Sequence, residues 1–296
     1  MRIGSYNNCH LFAEGVTSEV YRSGNVALKV IVAHQNMEPH NPQREIKILQ
    51  RLKSPRVISL KETFRDQEQR LVLAFPYVRH TLADVLESTA LETRQVTSIF
   101  RDIISALQSV HEQGIVHRDI KPSAVLLDSP DGPAYLADFG TAWAPDLSVH
   151  SEPQDGKILD VGTGPYRAPE VLFGNKSYGP PVDMWGLGVM LAEASTKPPT
   201  PPFESRAVHE DGNQLGLILS IFKTLGTPTR ETWPDALSFK VSPFELWTVF
   251  PQRPWTTILP ECDPGIRDLV ADLVRFDGKR ATAAQVRYVW SMCGQP

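Results

Sequence analysis

Two hydrophobic periods divide the chain. Within residues 10 to 75, the short apolar runs Val26-Ala27-Leu28-Lys29-Val30-Ile31 and Leu71-Val72-Leu73-Ala74-Phe75 predict strands. Between them Ile46, Leu49 and Leu52 recur at helical spacing, which predicts one helix whose other faces carry Arg44, Glu45 and Lys47. After Pro76 the period lengthens: Ile99, Ile103, Leu107 and Val110 share one helical face, and Leu215, Ile218, Phe222 and Leu225 another. A β-rich first quarter followed by a helical remainder predicts an α+β chain of two lobes. Turn residues mark the loops, most clearly at Ser129-Pro130-Asp131-Gly132-Pro133 and at Lys197-Pro198-Pro199-Thr200-Pro201-Pro202. The second of these reads as a loop between helices or as a proline-rich partner ligand.

Composition narrows the class. With 296 residues and 41% hydrophobic content the chain can bury a large core. A net charge of -4 gives no reason to expect a basic surface for nucleic acid or anionic lipid. Cys9, Cys262 and Cys293 are odd in number and lack metal-type spacing, so neither a disulfide framework nor a zinc site is expected. No apolar run approaches the roughly 18 residues of a membrane span, and Asn7, Asn8, His10 and Glu14 interrupt any signal-peptide core. The expectation is a soluble intracellular protein, cytoplasmic or nuclear, with no nucleic-acid or membrane partner.

The candidate chemistry lies in His117-Arg118-Asp119-Ile120-Lys121-Pro122, followed nineteen residues after Asp119 by Asp138-Phe139-Gly140, and later by Ala168-Pro169-Glu170. Together these motifs resemble the catalytic loop, metal-binding triplet and APE segment of eukaryotic protein kinases. Asp183-Met184-Trp185-Gly186-Leu187-Gly188 resembles that family's DxWxxG helix, with Arg280 placed to pair with Glu170. The block Ile221-Phe222-Lys223-Thr224-Leu225-Gly226-Thr227-Pro228, followed by Trp233-Pro234, is similar to the insert of cyclin-dependent kinases.

The resemblance implies a bilobal kinase fold: an N-lobe over residues 1–75, a hinge over 76–81 and a C-lobe over 82–296. It implies ATP and Mg2+ as cofactors. Lys29 looks like the strand lysine that meets the phosphates and Glu45 like its helical partner, although either alone reads as a surface charge. Asp119 would accept the proton of the acceptor hydroxyl, and Lys121 would stand beside the transferring phosphate. Asp138 would bind the magnesium ion, and Thr163 would contact Asp119 and Lys121. By register Phe75 is the gatekeeper, and Pro76 and Val78 meet adenine through the Pro76 carbonyl and the Val78 backbone. Val20, Ala27 and Leu126 would sandwich the ring, or simply pack the core. Gly15 remains from the phosphate-cradling loop.

Several positions depart from the pattern. Ala124 stands where the family carries a metal-binding asparagine, with Ser123 or water as a substitute. Ala13 and Ser18 replace two loop glycines, Glu19 is unfavourable if it points inward, and Val16-Thr17 replaces the inhibitory pair. Ile158 occupies the position of the activating threonine. Of the three arginines that hold its phosphate, Arg44 and Arg118 remain, while the third position is Trp143. Activity is therefore expected to need no phosphate there, with Asp155 or Asp160 as a fixed charge and Ser148 or Ser151 as alternative acceptors. The poor glycine loop and missing threonine resemble single-subunit fungal kinases that activate other cyclin-dependent kinases. Residues 38–45 share mainly Arg44-Glu45 with the cyclin-binding helix, so a cyclin partner stays open. The reading is a serine/threonine kinase acting on protein substrates, such as another cyclin-dependent kinase. The alternative is a pseudokinase scaffold disabled by Ala124.

Overall fold

The computed structural model describes residues 1–32, 38–205, 214–245 and 248–293. Five antiparallel strands form the N-lobe sheet: β1 (His10–Glu14), β2 (Ser18–Ser23), β3 (Val26–Ile31), β4 (Glu62–Arg65) and β5 (Leu71–Pro76), in the order β1-β2-β3-β5-β4. Strand side chains alternate, so register decides which residues share a face. Val20 lies opposite Lys29, Lys29 opposite Leu73, and Ala27 opposite Phe75, which puts these residues on one face. The other face carries Tyr21, Leu28, Val30, Val72 and Ala74, packed with Ile3 and Cys9 into a small core of its own.

Helix α1 (Pro42–Arg51) starts where Asn41 accepts a hydrogen bond from the Arg44 N–H and Pro42 presets the first turn. Ile46, Ile48 and Leu49 are buried as the period requires. Arg44 and Glu45 are buried as well, because the opposite side of this helix also packs against protein and each charge meets an ion partner there.

The C-lobe holds α2 (Leu82–Ser88), α3 (Thr93–His111), α4 (Pro145–Ser148), α5 (Pro169–Leu172), α6 (Pro181–Ala194), α7 (Gln214–Leu225), α8 (Trp255–Ile258), α9 (Pro264–Leu273) and α10 (Ala283–Cys293). A three-stranded sheet of β6 (His80–Thr81), β7 (Val125–Leu127) and β8 (Ala134–Leu136) lies below the cleft. In α3 the stripe Ile99, Ile103, Leu107 and Val110 is fully buried. In α7 the expected face is turned: Leu215 is 58% exposed, while Leu217, Ile221, Phe222 and Thr224 are buried. Phe222 fixes that rotation by stacking on Phe173 and meeting the edge of Phe276.

Helix α6 is buried nearly all round and runs through the lobe. Two glycines allow close packing there. A Cβ at Gly186 would lie 2.8 Å from the Ile120 carbonyl, and one at Gly188 would lie 2.6 Å from the Leu273 Cβ. At its N-terminal end Asp183 is fully buried and accepts from the backbone N–H of His117 (2.9 Å) and of Arg118 (2.8 Å), and from His111 Nε2 (2.9 Å). Those bonds hold Arg118 in the left-handed region, at φ 75°. Burial acts upward on the Asp183 carboxyl, but the hydrogen bond and charge of His111 outweigh it and its pKa is lowered.

Arg280 reaches Glu170 through two bonds, 2.5 and 2.9 Å long, and also donates to the Pro181 carbonyl at 3.0 Å. The resemblance anticipated this pair. Cys9 and Cys262 are free and buried. Among the described residues no helix is long and apolar enough to cross a membrane.

Two outcomes test these anchors. Glu170→Ala strands a buried guanidinium and should lower unfolding free energy by about 3–5 kcal/mol in urea denaturation. Asp183→Asn should cost about 3 kcal/mol at neutral pH. A carboxyl with a lowered folded pKa stabilises above its unfolded pKa and loses that contribution as pH falls. The gap between wild type and Asp183→Asn should therefore narrow below about pH 4, and a gap that stays constant would assign the bonds no charge dependence.

Candidate active site

Strand β3 and helix α1 bring Lys29 and Glu45 together across the lobe. Lys29 Nζ lies 2.8 and 2.9 Å from the two Glu45 oxygens and 3.1 Å from Asp138 Oδ1. Gly140 leaves room for this triad: a Cβ there would stand 3.4 Å from Lys29 Nζ and 3.6 Å from Glu45 Oε2. Its carbonyl also accepts from the Asn41 N–H at 3.0 Å, tying the start of α1 to the Asp138-Phe139-Gly140 triplet. Burial pushes the Lys29 ammonium down, but Glu45 and Asp138 more than reverse this and its pKa is raised. The Lys29 charge holds the Asp138 carboxyl well below the usual carboxylate range. Both groups are thus charged at neutral pH. Asp138 itself sits in the left-handed region at φ 61°, and its side chain remains 53% exposed.

A second constellation surrounds Asp119. The Thr163 hydroxyl donates to Asp119 Oδ1 at 2.7 Å and accepts from Lys121 Nζ at 2.9 Å, while that ammonium lies 2.6 Å from Asp119 Oδ2. Both carboxylate oxygens are thereby oriented. Thr163 is itself held by the turn before it, where Gly162 adopts φ 79° and its carbonyl accepts from Arg167 Nη2 at 3.0 Å. The catalytic loop is tied to the Asp138 region through His117, whose Nε2 donates to the Ala137 carbonyl at 2.9 Å and whose ring meets the edge of Phe139.

The sheet face that carries Lys29 also carries Val20, Ala27 and Phe75, each half-buried. Pro76 closes β5 opposite Val26, Val78 is buried, and Leu126 lies in β7 below. Gly15 closes the β1–β2 hairpin by donating to the Ser18 carbonyl at 2.8 Å. Glu19 points to the opposite face of β2, where it accepts from the Tyr21 hydroxyl at 2.8 Å. The unfavourable inward carboxylate therefore does not occur.

Ala124 is buried in a short 3-10 turn, and its carbonyl accepts from the Ala137 N–H at 2.9 Å. Its side chain offers no oxygen, and neighbouring Ser123 is exposed. Among the described residues no group of three or more His, Cys, Asp or Glu side chains could hold a metal. The donor set fits a magnesium ion that Asp138 would hold, because Mg2+ uses one or two carboxylates and keeps water or phosphate elsewhere.

The segment between Asp138 and Ala168 departs from expectation. Asp155 accepts from the Ser177 hydroxyl and Asp160 is 86% exposed beside Arg167, so neither enters the arginine pocket. Ser148 is buried and its hydroxyl accepts from the Ala144 N–H, which removes it as an exposed acceptor; Ser151 is exposed. The acid that meets Arg118 is Glu152. Sequence reasoning passed over it, although two retained arginines with no phosphate acceptor already required an anion from this segment.

The chain matches the protein kinase domain model over residues 6–289. It is 34% identical to serine/threonine-protein kinase csk1 of Schizosaccharomyces pombe, with 90% of this chain and 87% of that protein covered. It is 30% identical to cell division control protein 2 homolog 3 of Trypanosoma brucei brucei, over 96% and 91% of the two chains. Its fold superposes on a chain in the crystal structure of the yeast RNA Pol II CTD kinase CTDK-1 complex with a TM-score of 0.80, at 26% identity and with 100% and 96% of the chains covered. The two charged constellations and these matches agree: the chain belongs to the protein kinase family, in its cyclin-dependent kinase branch.

Proposed function

We propose that this serine/threonine kinase transfers phosphate from ATP despite Ala124, with Asp119, Lys121, Lys29, Glu45 and Asp138 as its working residues and another cyclin-dependent kinase as its protein substrate. The observation that carries the reading is the pairing of Lys29 with both Glu45 and Asp138, alongside an Asp119 whose two oxygens are engaged by Thr163 and Lys121. Phosphoryl transfer is largely a matter of positioning and charge, and those contacts supply both.

In this reading Gly15 would cover the phosphates of the nucleotide, and Val20, Ala27, Leu126 and the backbone of Pro76 and Val78 would hold its base. Lys29 meets its phosphates and is oriented by Glu45. Asp138 would hold the magnesium ion, which when bound would neutralise phosphate charge. Asp119 accepts the proton of the incoming hydroxyl, and Lys121 offsets negative charge on the transferring group. Thr163 keeps the Asp119 carboxylate turned toward the acceptor. Ala124 would leave a second ion without its side-chain ligand, which would lower the rate without removing the positioning.

The choice of substrate rests on the resemblance of the loop around Gly15 and of Ile158 to single-subunit fungal kinases that act on cyclin-dependent kinases. A cyclin partner is not required to align α1 in this reading. Glu45, Arg44 and the Asn41 N–H are all engaged within the chain, and the outward residues Gln43, Lys47, Gln50 and Arg51 are polar.

The test is phosphate incorporation into a cyclin-dependent kinase by the purified chain with Mg2+ and ATP. Wild type should transfer, Asp119→Asn should abolish transfer, and Ala124→Asn should raise the rate by about tenfold to a thousandfold. If wild type and Asp119→Asn are equally silent while Ala124→Asn transfers, the chain acts as a scaffold instead.

A further inference from the structure

Three elements that lie far apart in sequence meet at one carboxylate. Glu152, in the segment between Asp138 and Ala168, lies 2.5 Å and 3.0 Å from the two terminal nitrogens of Arg118 in the catalytic loop. Its Oε1 is also 3.5 Å from Arg44 of α1. All three side chains are sealed from solvent, at 0% exposure for Glu152 and Arg118 and 2% for Arg44.

The surrounding contacts aim Glu152 at this point. Its backbone N–H donates to the Ser148 carbonyl at 2.7 Å, and its carbonyl accepts from Trp143 Nε1 at 2.9 Å. Its Oε2 accepts the Ile158 N–H at 3.0 Å. Tyr178 links the same residues from the far side, with its hydroxyl 3.2 Å from Arg118 Nη1 and donating to the Ile158 carbonyl at 2.6 Å. The Lys157 ammonium lies 4.4 Å above the Trp143 ring. Trp143 and Ile158, which read in sequence as losses, are thus both fastened to Glu152.

Charge in the pocket is balanced. Arg44, Arg118 and the neighbouring buried Lys157 carry three positive charges; Glu38, paired to Arg44 at 2.9 Å, Glu152 and Asp155, which faces Lys157, carry three negative ones. A phosphate on the segment would add a further charge of about -1.5 to -2 to a site already neutral and closed.

We propose that Glu152 is a positioning residue that permanently occupies the arginine pocket, locking the activation segment to Arg118 and Arg44, so that the kinase is competent without phosphorylation of that segment. The proposal rests on the kinase reading above, since it concerns how that site is held. It assigns the fixed charge to a residue other than Asp155 or Asp160. Glu152 acts through Arg118, whose neighbour Asp119 faces the acceptor hydroxyl, and through Arg44, whose neighbour Glu45 orients Lys29.

The experiment uses the full chain treated with phosphatase and shown by intact mass to carry no phosphate. Wild type should transfer phosphate to a cyclin-dependent kinase in that state. Glu152→Gln, equal in shape but uncharged, should lower kcat/KM for the protein substrate by about a hundredfold, with nucleotide affinity little changed. Glu152→Asp should recover part of the loss, and acetate should recover part of it in Glu152→Ala, outcomes that a purely structural role would not give. Hydrogen exchange over residues 152–158 provides a readout that needs no catalysis: protection in wild type should fall in Glu152→Gln. Exchange that responds in this way in a wild type silent under all conditions supports the lock and overturns the kinase reading alone. Transfer that appears only after segment phosphorylation overturns the lock, as does full activity of Glu152→Gln.

Discussion

The architecture depends on a single buried carboxylate. Asp183 takes two consecutive backbone N–H groups from the catalytic loop, at His117 and Arg118, and a third bond from His111. A non-glycine residue at φ 75° is costly on its own, by about 1–3 kcal/mol, and persists only where its surroundings over-determine it. Asp183 provides that determination from inside α6, the most deeply buried helix of the lobe. The left-handed turn sends the Arg118 side chain toward Glu152 and lets the chain continue to Asp119, whose oxygens meet Thr163 and Lys121. Gly186, one turn further along α6, makes the approach possible by leaving space for the Ile120 carbonyl.

From that anchor outward, the site is held by charges paired between elements that are distant in sequence. Lys29 joins β3 to α1 and to Asp138; Arg118 joins the catalytic loop to the activation segment; Arg280 joins the end of the chain to Glu170. Such pairs contribute little net stability relative to apolar packing, because desolvation offsets much of their attraction. Their effect is on geometry. Removing one partner leaves a buried charge exposed to nothing, so alternative arrangements of the lobes and the segment are penalised strongly. Positioning of this kind is what phosphoryl transfer requires, and the hydrophobic cores on either side need only carry it.

Much of the fold was legible in the sequence because strand and helix periods are local. The runs at Val26–Ile31 and Leu71–Pro76 form strands, and the stripe from Ile99 to Val110 faces the core. The face of α7 was not legible, since which side of a helix is covered depends on partners such as Phe173 and Phe276 that lie far away in sequence. Arg44 and Glu45 read as surface charges when taken alone, and the kinase resemblance gave Glu45 its Lys29 partner and Arg44 its place in the arginine pocket; the tertiary pairing accounts for their burial. In the site, the resemblance of short strings to kinase motifs made Lys29, Glu45, Asp119, Lys121 and Asp138 candidates. Glu152 sits in none. It is reached only by asking which group neutralises Arg118, a question that needs the path of the segment.

The departures at Ile158 and at Ala124 are therefore different in kind. A regulatory phosphate supplies charge to a pocket built by other residues, so any carboxylate that can be delivered to the pocket serves, and Glu152 is delivered there by its own backbone bonds and by Trp143. A metal ligand must present oxygen at a fixed point within about 2.1 Å of the ion. Around Ala124 the turn is closed by backbone bonds and the neighbouring Ser123 faces solvent. Charge can be replaced from a distance and a ligand cannot. Under the proposal made above Glu152 stands in for the missing charge within the chain, whereas no side-chain oxygen replaces the one absent at Ala124, and the proposed catalysis would rest on Asp138 with Lys29 beside it.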